Sequence, residues 1–189
     1  GAKRLYVGMG GDDERLRKAY LGMENPDPGL AGEFARVGLA EQGRALAEKL
    51  PEGNPERMMW SAVADWKAGR AADAATSLAS LLDKLKARDA PPAYLLGRML
   101  ADAGRCEEAL VEFDRLVGHF PWAWAQANAG WSVRMPLALL EGARCQVKLG
   151  RPAEARARLD RLLAMWKDAD PDLPALADAK ALRAKVAGP

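Results

Sequence analysis

The sequence predicts an all-α protein, a solenoid of helical hairpins with a C-terminal capping helix, on three observations. A glycine in a similar setting recurs at Ala68-Gly69-Arg70, Ala103-Gly104-Arg105 and Leu149-Gly150-Arg151. Small residues stand at fixed distances from it: Ala62, Gly97 and Ala143 seven places before, and Ala74, Ala109 and Ala155 five places after. Large apolar residues follow in helical register, with Leu78, Phe113 and Leu159 nine places after the glycine and Leu81, Leu116 and Leu162 three further on.

Each residue type has a physical task at its place. Glycine lets the backbone reverse between two helices. Alanine or glycine on the facing sides lets the helix axes approach to the low end of the roughly 8–10 Å packing range. The Leu and Phe positions, one and two turns along, face the next hairpin.

The elements follow in order along the chain. Residues 1–11 read as an irregular lead-in, and Gly8-Met9-Gly10-Gly11 lacks the third glycine of a dinucleotide loop because Asp13 stands there. A short charged helix is expected from Asp12 to Met23, ended by Asn25-Pro26-Asp27-Pro28-Gly29. A longer helix from Leu30 to Leu50, apolar along Phe34, Val37, Leu46 and Leu50, is expected to pair with it as a divergent first hairpin. Asn54 caps the next helix and Pro55 opens it. Arg151-Pro152 repeats that device, and Ala155, Leu159, Leu162, Leu163 and Trp166 form the inward stripe behind it. After the polar stop at Lys167 to Pro171, Asp172 is expected to cap a final helix. That helix turns Leu173, Leu176, Leu182 and Val186 inward and Lys180, Arg183 and Lys185 outward, covering the open end of the array. The expected organisation is an N-terminal hairpin over 1–54 and a continuous array of three repeats plus cap over 55–189.

A chain of 189 residues buries roughly 70% of its unfolded surface, enough for a sizeable core. With Lys+Arg 28 against Asp+Glu 26, the net charge of +2 sets up no strong field for nucleic acid or an acidic membrane. No apolar run approaches the roughly 20 residues that span a bilayer, and no signal peptide is visible. The expected location is the cytoplasm, or outside it should an upstream segment span a membrane. The start at Gly1-Ala2-Lys3, without an initiator methionine, fits a cleaved tag followed by an excised domain of a longer protein.

Catalytic chemistry finds little to work with. The single histidine, His119, lies at the end of a repeat helix and is expected to be structural. Asp168, Asp170 and Asp172 alternate as in a calcium loop, but Leu173 occupies the glycine position and Ala179 the place of the bidentate glutamate. No nucleophile elbow, zinc pattern or nucleotide cradle occurs, so neither enzyme activity nor a cofactor is predicted. Arg151, Arg156, Arg158 and Arg161 interleave with Glu154 and Asp160 and read as a solvated helix face. Cys106 and Cys145 are expected as small core residues, with a cystine left open.

The repeat resembles the tetratricopeptide repeat (TPR), whose period is about 34 residues. The middle copy, from Ala90, places Leu96-Gly97, Ala109, Phe113 and Pro121 on the family's positions. A first copy over about 55–88 keeps Ala62, Ala74 and Leu81, and a third over about 136–169 keeps Ala143 and Ala155 with Leu159 at the aromatic's place. The glycines of copies two and three stand farther apart than those of one and two, so a dozen residues are inserted there. Residues 163–173 also resemble the closing segment of TPR regions at the C-terminal ends of some bacterial serine/threonine kinases and winged-helix regulators, which implies a sensory or adaptor role beside a signalling domain.

The resemblance implies a right-handed solenoid whose first helices line a concave groove. Carried over, the groove positions are Met59, Val63, Trp66 and Lys67, then Tyr94, Arg98 and Asp102, then Leu140, Arg144, Val147 and Lys148. A peptide or protein partner with apolar anchors and an acidic group is implied, Arg98 and Arg144 pairing with carboxylate. Packing of Met59, Trp66 and Leu140 against a neighbouring hairpin or a dimer mate explains them as well. Met59, Val63 and Leu95 replace the polar residues of the chaperone-binding carboxylate clamp. The inserted segment carries Trp122, Trp124 and Trp131, read either as a contact hot spot or as staples to the core. The competing function is a homodimeric assembly unit whose groove is filled by its own copy.

Overall fold

The computed structural model describes residues 14–86, 92–118 and 129–186, and every regular element among them is helical. They fall into two compact units that divide between residues 87 and 88. The first holds α1 (Glu14–Leu21), a 3-10 turn (Pro28–Leu30), α2 (Ala31–Arg36), α3 (Ala40–Ala47), α4 (Pro55–Lys67) and α5 (Ala71–Lys84). The second holds α6 (Pro92–Asp102), α7 (Cys106–Gly118), α8 (Ala129–Lys148), α9 (Pro152–Met165) and α10 (Pro174–Lys185). Within each unit successive helices pack on one another, α2 to α5 in the first and α6 to α10 in the second. The fold class is the one expected, all-α, with helical hairpins repeated within each unit.

Four hairpin turns are built alike. Gly38, Gly69, Gly104 and Gly150 have φ of 83°, 87°, 78° and 72°, the left-handed region where a Cβ is strained. The residue after each glycine donates its N–H back across the helix end: Leu39 to the Phe34 carbonyl at 2.9 Å, Arg70 to Asp65 at 2.9 Å, Arg105 to Leu100 at 2.8 Å and Arg151 to Gln146 at 2.8 Å. This six-residue bond satisfies carbonyls that the helix end would otherwise leave open. The same four residues then accept the first bond of the next helix, from Gly43, Ala74, Ala109 and Ala155.

The hairpin at Gly38 corrects one expectation. The sequence pointed to a single helix over 30–50 paired with a charged helix before it, but that stretch breaks at Gly38 and folds on itself as α2 and α3. Its register is that of the repeats, with Ala31 seven places before the glycine and Gly43 and Ala47 five and nine after. A Cβ on Gly43 would lie 2.6 Å from the Ala31 carbonyl oxygen, so the two short helices cross at backbone contact. Phe34, Val37 and Leu46 are buried as expected, in a core with Ala31, Leu39 and Ala47. Tyr20 closes it, its ring 5.0 Å from that of Phe34.

The packing positions read from the repeat are all interior. Ala74, Ala109, Ala155, Leu78, Phe113 and Leu159 are 0% exposed. In the second unit Gly97 abuts the Phe113 ring so closely that a Cβ would stand 2.5 Å from it. Asn54 caps α4, its side chain accepting from the Glu56 N–H at 2.8 Å, with Pro55 at the first helical position. At the C-terminal helix the cap differs from expectation: Leu173 occupies the cap position ahead of Pro174, and Asp172 lies one residue outside.

The long helix α8 absorbs part of the insertion, since it starts at Ala129 and carries Pro136, buried, within it. Trp131 lies on its first turn. Trp122, Trp124 and His119 fall outside the described residues. The basic run is solvated only in part, with Arg161 exposed as expected. Arg158, on α9, is mostly buried and pairs with Asp114 of α7 at 2.6 Å, while its Nε donates to Gln146 of α8 at 3.1 Å. Arg151 pairs with Glu107 at 2.5 Å, and Arg156 donates to the Val186 carbonyl at the end of α10.

Candidate functional site

In the second unit α6, α8 and α10 border a cleft of about 350 Å³ lined by Arg98, Ala101, Asp102, Glu141, Arg144, Cys145, Val147, Lys148 and Leu182. Five of these, Arg98, Asp102, Arg144, Val147 and Lys148, are among the groove positions that the TPR resemblance implies. The helical spacing explains the convergence: Arg98 and Asp102 lie one turn apart on α6, and Arg144, Val147 and Lys148 within a turn on α8. The α6 and α10 helices touch α8 more lightly than α7 and α9 do, which leaves the space between them.

Charge in the cleft is balanced internally. Glu141 is 8% exposed and sits between two arginines, its Oε1 2.8 Å from Arg144 Nη1 and 3.6 Å from Arg98 Nη1. Arg144 also reaches Asp178 of α10, Nη2 to Oδ2, at 2.6 Å. The chain thus supplies carboxylates where a partner's carboxylate was expected. The groove positions did not include Glu141, whose pairing is split between Arg144 one turn along α8 and Arg98 on α6.

The groove positions that are most apolar go elsewhere. Leu140 is 1% exposed and Tyr94 5%, both in the interior, with the Tyr94 and Phe113 rings 6.2 Å apart. In the first unit Val63 is 1% exposed and Trp66 is also buried, while Met59 is half-buried and Lys67 exposed. Val63 and Tyr94 therefore depart from the reading as groove contacts, and Trp66 and Leu140 fit the packing alternative, because their side chains fill the interior. The Lys67 ammonium stands 4.2 Å over the Trp66 ring, a cation–π contact that keeps the charge at the surface.

Titration follows burial. Desolvation raises the Tyr94 phenol above its ordinary value, so it stays protonated and can accept the Arg98 Nη1 donor at 3.4 Å. Burial works against the Arg98 charge, but Tyr94 and Glu141 outweigh it and its guanidinium holds its proton above the usual range. Burial, with help from the neighbouring Cys106, pushes the Cys145 thiol up to about 12. A thiol so held is a poor nucleophile at neutral pH. Among the described residues no three His, Cys, Asp or Glu side chains gather as metal ligands. Among them, too, no helix is long and apolar enough to cross a membrane.

Hairpins repeated with one turn geometry, opening a lined cleft between their first helices, define a helical repeat protein. Residues 137–168 match the tetratricopeptide repeat family. The fold of the chain is similar to the nearly identical TPR-like repeats of a kinesin light chain-like protein from Podosopora anserina. That structure shares 18% identity, with a TM-score of 0.56 over 88% of this chain and 100% of the other. A single-residue variant of the same protein matches with a TM-score of 0.58 at 18% identity, over 84% of this chain and 90% of the other. No curated protein matches the sequence. TPR repeats generally mediate protein–protein interaction, and proteins of this fold are typically non-catalytic scaffolds.

Proposed function

We propose that this chain is a protein-interaction module, non-catalytic in itself, whose second unit holds a segment of a protein partner in the cleft between α6, α8 and α10. The observation that carries the reading is the meeting of Arg98, Asp102, Arg144, Val147 and Lys148, drawn from two repeats, on one cleft. Val147, Leu182 and Ala101 offer apolar anchorage, and Lys148 supplies a cation at the rim. An acidic group of the partner pairs with Lys148 and competes with Glu141 and Asp178 for the arginines. The likeness of residues 163–173 to the ends of bacterial regulators supports an adaptor role beside a signalling domain.

Peptide selection against the purified chain tests this directly. Val147→Glu and Lys148→Glu should each weaken the selected peptides by about tenfold or more while leaving the melting temperature unchanged. Val111→Glu, at an exposed site of α7 away from the cleft, should leave binding intact. Equal loss from all three, or from none, overturns the assignment to this cleft. Light scattering on the same sample tests the dimeric alternative, in which a second copy fills the cleft.

A further inference from the structure

We propose that the cleft between α6, α8 and α10 selects its partner by the spacing of charge: it takes an extended segment with two carboxylates six residues apart and apolar residues between them, one carboxylate on Arg134 and the other on Lys148. This rests on the reading of the cleft as a peptide site and adds Arg134 to it as a subsite beyond the residues that line the cavity.

The α8 helix carries the argument. Arg134, Glu141, Cys145 and Lys148 follow one another at seven, four and three residues, a spacing that keeps them on one side of an α-helix. The last three line the cleft, so Arg134 continues the same side two turns before Glu141. The α6 helix runs alongside in the same direction. Its Arg98 meets Glu141 at 3.6 Å, and one turn further along both helices Asp102 joins Cys145 and Lys148 in the lining. Arg134 is half-buried there. Burial lowers its guanidinium from the ordinary value, a cost that a bound carboxylate relieves.

Compensation along this side is uneven. In the middle, Glu141 answers Arg98 and Arg144, and Asp178 answers Arg144 again at 2.6 Å. At the two ends, Arg134 and Lys148 form no ion pair with any of the described residues. A carboxylate entering the middle meets Glu141, whereas one at either end meets a cation still to be paired. Arg134 and Lys148 are fourteen residues apart, about 21 Å along the helix. An extended chain covers that length in about six residues. Residues an even number apart along it point the same way, so both carboxylates and the alternate side chains between them face the cleft. A helical partner, roughly 10–12 Å across, does not enter a cavity of about 350 Å³.

Fluorescence anisotropy with the full chain provides the test. The probe is a labelled, amidated peptide with glutamates six residues apart, leucines two and four places after the first glutamate and serine elsewhere. It should bind about fivefold tighter than peptides with the glutamates four or eight apart, or with one glutamate changed to glutamine. Arg134→Gln and Lys148→Gln should each erase that advantage, and Arg134→Lys should keep it. Arg161→Gln, at an exposed site of α9, should leave it unchanged. Should Arg134→Gln fail to fold, Arg134→Lys and the spacing series on the unsubstituted chain decide. Equal affinity across the spacings, an advantage that survives Arg134→Gln, or no binding of the six-residue peptide at millimolar concentration overturns the inference. If selected peptides still bind and are weakened by Val147→Glu while the spacing series is flat, the cleft keeps its assignment and only the spacing rule falls.

Discussion

Gly142 and Arg158 occupy one space: a Cβ on Gly142 would lie 2.8 Å from the Nη1 of Arg158 and 3.0 Å from its Cδ. The missing side chain on α8 is what lets the guanidinium of α9 lie across that helix and reach Asp114 on α7. Gly97 stands in the same relation to Phe113, at 2.5 Å. The two obstacles differ in kind, one being the far end of a flexible side chain and the other a ring with no exposed surface.

Glycine-to-alanine changes should therefore separate. Gly142→Ala displaces Arg158 but gains about 1 kcal/mol of helix propensity, so its net effect should be small. Gly97→Ala cannot shift the ring and should cost on the order of 1–3 kcal/mol through overpacking, despite the same propensity gain. Urea denaturation of both variants measures the difference.

At the hairpin turns, Gly104→Ala should destabilise by about 1–2 kcal/mol, because alanine is strained at φ of 78°. Gly104→Asn should cost less, since asparagine tolerates the left-handed region. The ranking Gly, Asn, Ala in midpoint of unfolding checks this.

Glu141→Gln should move two readouts in opposite directions. Removing the carboxylate between Arg98 and Arg144 should lower stability by about 1 kcal/mol, a modest figure because Arg144 is partly exposed and screened. It also leaves the arginines with less compensation, so a peptide with an acidic group should bind more tightly to the variant. Calorimetry with acidic and amidated versions of one selected peptide checks the second effect.

The Cys145 thiol, pushed up to about 12 by burial, gives an alkaline signature. In the unfolded chain a cysteine loses its proton near about 8.5, whereas the folded chain still holds it there. Above that pH the unfolded state binds fewer protons than the native one, so stability should fall as pH rises from about 8.5 toward 12 and be fully present below that window. Cys145→Ala should flatten this fall in denaturation series at pH 8, 9 and 10.

Ala109, Phe113, Leu159 and their equivalents were legible because close helix crossing admits so few side chains that the constraint shows in residue size alone. The hairpin at Gly38 was not, because Gly43 and Ala47 stand where alanine and a large residue signal the other copies. Pairing with the charged helix before it was then the plainer reading. Arg98, Asp102, Arg144, Val147 and Lys148 came together in one cleft because register along each helix sets direction. Tyr94 and Leu140 share that register, yet the interior claims them. Arg158 was misread since its partners Asp114 and Gln146 lie on other helices, at separations that carry no period.

The turn glycines at 38, 69, 104 and 150 stand 31, 35 and 46 residues apart, although the hairpin around each keeps identical internal distances. The length variation thus lies in the seams and in the outer turns of the first helices, such as the start of α8, and not in the span from seven places before each glycine to nine after it. Such a molecule can be lengthened or re-equipped at a seam without retuning any crossing inside a hairpin, so its evolutionary and engineering freedom is concentrated in stretches like the one before α8.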